Sequence, residues 1–205
     1  MTDLTDIEEE LQALARIGSV LGVRNAIRMG ANINAADDSE GETALMIAAR
    51  HGHAPVVALL CETPGIRINQ RDEAGQTALH HAILYDGKPE DPAMEVAGIL
   101  LDAGADDTIE DAFSHTPLMA ATQLRAYDLA VYLVRRGCNP VRTNVRMETA
   151  LALCGDWHIR KTMRAIGEAL PTNAPRTERE RAWLAGELAK IRKSLARLVQ
   201  KGPSL

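Results

Sequence analysis

Aromatic residues are nearly missing from this chain. Only six of its 205 residues are Phe, Tyr or Trp, although 46% of the sequence is hydrophobic. The core must therefore be built from Ala, Leu, Val and Ile, which favours closely stacked helices. Cysteine is also sparse. Cys61, Cys138 and Cys154 are odd in number, scattered, and never in a C-x-x-C pair, which argues against a disulfide framework or a zinc module. No apolar run approaches the ~20 residues that cross a bilayer. The opening MTDLTDIEEE is acidic and lacks the basic and apolar regions of a secretion signal. The expectation is a soluble, cytoplasmic protein with no membrane contact.

Enzymatic signatures are absent too. The chain holds no G-x-x-x-x-G-K-[ST], G-x-G-x-x-G, G-x-S-x-G or H-E-x-x-H. His51 and His53 stand two apart, and His80 and His81 are adjacent, so neither pair shares a helix face as metal ligands would. Cys154 and His158, with Asp156 between them, are the one arrangement that could serve nucleophilic catalysis. A buried, inert cysteine is the plainer reading of Cys154. No catalytic residue, cofactor or metal is expected.

Positive charge is short in most of the chain. From Arg176 onward eight Lys/Arg stand against three Glu, net +5, which leaves −10 for the residues before it. An acidic body repels nucleic acid and suits basic partners. The basic stretch has a single aromatic, Trp183, which is weak support for a nucleic-acid surface.

What is present is repetition. GETALMIAA (41–49) returns as GQTALHHAI (75–83), SHTPLMAAT (114–122) and METALALCG (147–155), with Thr43, Thr77, Thr116 and Thr149 separated by 34, 39 and 33 residues. A second landmark keeps step: GANINAAD (30–37), GIRINQRD (65–72), GADDTIED (104–111) and GCNPVRTN (137–144). Each Thr stands where a helix start needs a side-chain oxygen for its free N–H groups. Leu45, Leu79, Leu118 and Leu151 follow as packing residues. VVALL (56–60), VAGILL (96–101) and LAVYLV (129–134) supply second helices, which Gly30, Gly65, Gly104 and Gly137 end.

On these two motifs the chain resembles the ankyrin repeat, whose period and T-P-L-H-x-A signature they match. The resemblance implies an all-α solenoid of about five helix-turn-helix units with hairpin-like loops. The expected repeat domain is 1–170, with units at about 5–37, 38–72, 73–111, 112–144 and 145–170. Thr5 with Glu8 reads as a capping box at the start of the first unit. The fifth unit degrades after ETALAL, only SHTPL keeps the Thr-Pro, and only GQTALHHA keeps the Leu-His. DGKPEDPAM (86–94) carries an insertion whose Pro89 and Pro92 prevent a continuous helix.

PTNAPR (171–176) reads as a linker. Beyond it, Leu184, Leu188, Ile191, Leu195 and Leu198 recur at helical spacing, so 177–200 reads as an amphipathic C-terminal capping helix. Dimerisation through 177–200 and docking to a partner are the alternatives to a capped monomer.

The resemblance also implies where a partner binds: on the hairpin tips and the exposed face of the first helices. His80 falls at the family's histidine position, which implies a structural hydrogen-bonding role. Aligning the units gives the predicted partner-binding residues His51, Tyr85, Leu124 and Trp157 in one row. Phe113, His115 and Arg50 lie beside it, and Asp38, Glu40 and Glu73 form an acidic surround. The expected function is non-catalytic binding of a protein or peptide whose surface is apolar with a basic rim. The alternatives are an inhibitor, such as an immunity protein or antitoxin masking a basic enzyme, and a secreted bacterial effector. The opposing class is an enzyme centred on Cys154 and His158.

Overall fold

The computed structural model describes residues 4–84 and 91–169. Within them the helices come in pairs: α1 (Leu4–Arg16) with α2 (Val20–Arg28), α3 (Ala44–Arg50) with α4 (Ala54–Glu62), α5 (Ala78–Ile83) with α6 (Asp91–Asp102), α7 (Pro117–Gln123) with α8 (Tyr127–Arg135), and α9 (Ala150–Leu153) with α10 (Trp157–Ala169). The first helices form one layer, with α3 packed on α1 and α5, and α7 on α5 and α9. The second helices form the other, running α2, α4, α6, α8, α10. This is an all-α solenoid; among the described residues the only β pairing is two isolated bridges, Ala36–Thr43 and Thr143–Thr149. Tyr85, most of the 86–94 insertion, the 171–176 linker and the 177–200 helix lie outside the described residues.

The caps fall where the sequence places them. Thr43, Thr116 and Thr149 each accept from the N–H three residues on, at 3.4, 3.4 and 3.1 Å. In α5 the histidine adds to this. His80 Nδ1 accepts from the Thr77 N–H at 3.2 Å, and its Nε2 donates to the His115 carbonyl of the next unit at 3.1 Å. One buried side chain thus ties two repeats together. The first unit departs from expectation, because α1 already begins at Leu4. Thr5 therefore sits inside the first turn rather than ahead of it.

Between units the chain forms a tight hairpin built on one acid or amide. Asp37, Asp72, Asp111 and Asn144 close their hairpins through backbone bonds to Glu42, Gln76, His115 and Glu148. Their side chains also accept from backbone N–H groups of the same loop. The residue before each closure is left-handed: Gly41 and Gly75 (φ 73° each), Ser114 (φ 64°) and Met147 (φ 62°). Successive tips pair as well, Glu73 N–H donating to Glu40 O and Ala112 N–H to Ala74 O. Asn34 and Asn69 brace the other end of the loops. Each side chain bonds both the glycine carbonyl and a nearby N–H of the following unit.

The core lies between the two layers. Leu45, Leu79, Leu118 and Leu151 are all buried, together with Val56, Val57, Leu60, Val96, Leu100 and Leu133. Alanines at the interface, including Ala48, Ala82 and Ala121, let the helices come close.

Candidate functional site: the concave face

The first helices and the hairpin tips enclose one surface, and the predicted residues distribute over it unevenly. Arg50 ends α3 and His51 caps it; the His51 ring stacks on His53 with centroids 6.1 Å apart. Leu124 caps α7 and is 54% exposed. Phe113 stands on its hairpin tip, 61% exposed, stacked on the ring of His115. His115 itself is buried. Asp38, Glu40 and Glu73 are exposed on their tips.

Trp157 is exposed (62%) but sits elsewhere than counting from Thr149 predicts. It opens α10 instead of closing the first helix of its unit. The reason is local. Cys154 leaves the helical backbone (ψ 112°), and its carbonyl is taken by the Arg160 guanidinium. Asp156 then caps the next helix through Ile159 N–H at 3.0 Å. The second helix so begins early, and Trp157 projects with His158 edge-on at 4.9 Å and the Lys161 ammonium 5.3 Å from its ring.

The same geometry disposes of the Cys154–His158 pairing. Cys154 is fully buried and its thiol donates to the Asp156 carbonyl at 3.5 Å. His158 is exposed and packs on Trp157.

Clefts cut the face between successive units. The first, about 280 Å³, lies between units three and four. Its apolar walls are Leu84, Phe113, Ala120 and Leu124, with Gln76 and His115 among the polar groups. The second, about 340 Å³, lies between units two and three, lined by Glu40, Glu42, Arg50, Asp72, Glu73 and His81 among others.

Glu42 and Asp72 of that lining were not singled out by sequence, and His81 was weighed there only with His80 as a metal ligand and set aside. Glu42, Asp72 and His81 bring one ligating atom each within 4.8 Å of one another. Asp72 is fully engaged: Oδ1 accepts from Gln76 N–H at 2.7 Å and Oδ2 from His81 Nε2 at 2.8 Å. Arg50 bonds Glu42 Oε2 at 2.5 Å. What is left is Glu42 Oε1 facing His81 Nδ1 at 3.5 Å, both buried and without a hydrogen-bond partner. With Nε2 donating to Asp72, Nδ1 is an acceptor, so two acceptors face each other. Burial pushes the Glu42 carboxyl up to about 7, against the pull of Arg50. Burial lowers His81, and the Asp72 bond counteracts it. A proton on Glu42 reconciles the pair. As a metal site the cluster is poor, because only two atoms remain free and a guanidinium adjoins them.

The glutamate and the histidine carry signals visible on superposing the units. Glu42, Gln76, His115 and Glu148 share the place before the capping Thr, and polar residues recur there. His81 stands four after its Thr, where the other units have Ile47, Ala120 and Leu153.

Comparison with known proteins matches residues 11–111 to ankyrin repeats in three copies. A Plasmodium falciparum protein whose name carries an E3 ubiquitin-protein ligase assignment is 36% identical over 106 residues, covering 49% of this chain and 1% of that one. The human photoreceptor ankyrin repeat protein is 52% identical over 42 residues, 20% of this chain and 9% of the relative. Drosophila melanogaster Notch is 34% identical over 122 residues, 58% and 4% respectively. The chain thus spans less than a tenth of the length of each of these relatives. Repeats of this kind generally serve as protein-interaction modules without catalytic activity. No helix among the described residues is long and apolar enough to cross a membrane.

Proposed function

This chain is an ankyrin-repeat protein, and from that premise we propose that it is a non-catalytic module holding a protein or peptide partner on its concave face and hairpin tips. The observation that carries the reading is the exposure of Phe113 and Leu124 around one cleft, in a chain that has only six aromatics. Large apolar groups held out of the core at a shared depression are what interface anchors look like. Trp157, exposed at the start of α10, adds an apolar side chain in the fifth unit off the first-helix row. The acidic tips Asp38, Glu40 and Glu73 supply the surround that favours a basic rim on the partner. Affinity capture with the native chain and with a folded Phe113→Ala, Leu124→Ala, Trp157→Ala variant tests the reading. A protein retained by the native chain and lost by the variant is expected. A partner held equally by both would place binding elsewhere.

A second reading is inhibition: a module that masks a basic enzyme. The acidic lining of the cleft between units two and three favours it. A captured partner with enzymatic activity that falls on stoichiometric addition of this chain would separate inhibitor from adaptor.

A further inference from the structure

We propose that the concave face takes an extended peptide segment in one alignment, with an apolar side chain in the cleft between units three and four and Lys or Arg side chains over units three to one. The proposal rests on the binding reading above and adds the partner's chemistry and its order along the chain.

Three depressions follow one another at repeat spacing and change in character. The first is the apolar cleft walled by Leu84, Phe113, Ala120 and Leu124. Gln76 and Leu84 line it and also the next, so the two are continuous. Among the described residues that second cleft exposes Glu40 and Glu73, with Glu42 and Asp72 buried behind them and Arg50 as its one cation. Ser39 in turn is shared with a third depression of about 250 Å³. There, among the described residues, Glu8, Glu9, Asp37 and Asp38 have no cationic lining residue beside them. Charge complementarity therefore selects a basic segment, and the apolar end fixes which way it lies.

The acidic cluster is supported by a separate fact. At the middle cleft the Glu42 carboxylate and the His81 ring, both almost wholly buried, keep one acceptor each without a partner. One proton between them satisfies both, and a partner ammonium or guanidinium over the exposed Glu40 and Glu73 beside them favours the ionised carboxylate in its place. Neighbouring units are about 10 Å apart and an extended chain rises about 3.3 Å per residue, so the matching side chains stand about three residues apart. The chain's own basic stretch from Arg176 fits less well, since its apolar residues recur throughout its length instead of at one end.

The test uses the full chain and a fluorescein-labelled Gly/Ser peptide with Trp near one end and Arg at every third place after it. Two control peptides replace the Trp by Ser or each Arg by Ser. Anisotropy titrations are run against the native chain, Leu124→Glu and the double variant Glu40→Lys, Glu73→Lys, with circular dichroism confirming helicity. Phe113→Ser stands in if Leu124→Glu is not folded. The expected pattern is crossed. Leu124→Glu weakens the Trp/Arg peptide about tenfold but leaves the Trp-to-Ser peptide unchanged. The lysine variant weakens the Trp/Arg peptide about tenfold but leaves the Arg-to-Ser peptide unchanged.

If the Arg-to-Ser peptide binds the native chain as tightly as the original, the basic requirement is overturned while concave-face binding survives. Absence of binding by every peptide also overturns the proposal. The capture experiment above then decides separately whether the module reading stands. If Arg192→Glu, Lys193→Glu in the same chain is what opens the face to peptide, residues from Arg176 onward are the occupant, and the proposal is wrong.

Discussion

Burial lifts the Glu42 carboxyl well above the usual carboxylate range. Its carboxyl is buried beside Asp72 and His81, with Arg50 on one oxygen, and it titrates at about 7 instead of its ordinary 4.5. A raised carboxyl stabilises the fold fully below its unfolded value and loses that contribution as pH rises through its folded one. His80 and His81 run the other way. Burial lowers both, so their contribution is present above 6.5 and is lost as pH falls through their folded values. Replacing Glu42 with Gln removes only the first effect. Urea unfolding at pH 5 and pH 8 is expected to show the variant gaining on the native protein as pH rises. An unchanged difference at the two values would contradict the assignment. Arg125 offers a second residue-level test. It sits at φ 60° in the turn between α7 and α8, where Gly18 and Gly52 stand in units one and two. Arg125→Gly relieves a left-handed conformation costing about 1–2 kcal/mol, offset by glycine's extra entropy in the unfolded chain. A net gain of about 0.5–1 kcal/mol is expected in thermal or denaturant unfolding.

At the scale of elements, the hairpins depend on one acceptor each. The Asp111 carboxylate, buried, takes the Phe113 and His115 N–H groups, and Asn144 does the same for Arg146 and Glu148. Asp111→Ala should cost about 2–3 kcal/mol by leaving buried donors unpaired. Asp111→Asn should cost clearly less, because the last hairpin already uses that residue. Equal losses on equilibrium unfolding would mean that charge, not acceptance, matters there. These elements were legible beforehand, since Thr caps and closing glycines are local signals read from neighbours in sequence. The Glu42–Asp72–His81 cluster was not. Its members come from two units and meet only when the stack brings a helix against the preceding hairpin. Trp157 was misplaced for a related reason: the count from Thr149 holds, but the helix ends early because Arg160 and Asp156 compete for its last turn.

Across the whole molecule, stability is a sum of units and of the contacts between neighbours. Leu79, completely buried in the central unit, packs where α3, α5 and α7 adjoin. Leu79→Ala is expected to cost about 2–5 kcal/mol, with hydrogen exchange rising in both adjacent units rather than in its own alone. The layering leaves the second helices as a continuous wall and frees the first helices and tips to carry recognition. Fold alone does not name a partner, but the lining of the face changes along the stack, with Leu84, Phe113 and Leu124 at units three and four and acidic residues from there to unit one.

The most direct test of that account is amide hydrogen exchange of the full chain with and without its captured partner. Slowed exchange is expected at 38–51, 72–84 and 111–125, with α4, α6 and α8 unchanged. Protection confined to the second-helix wall, or to the chain beyond residue 169, would contradict it.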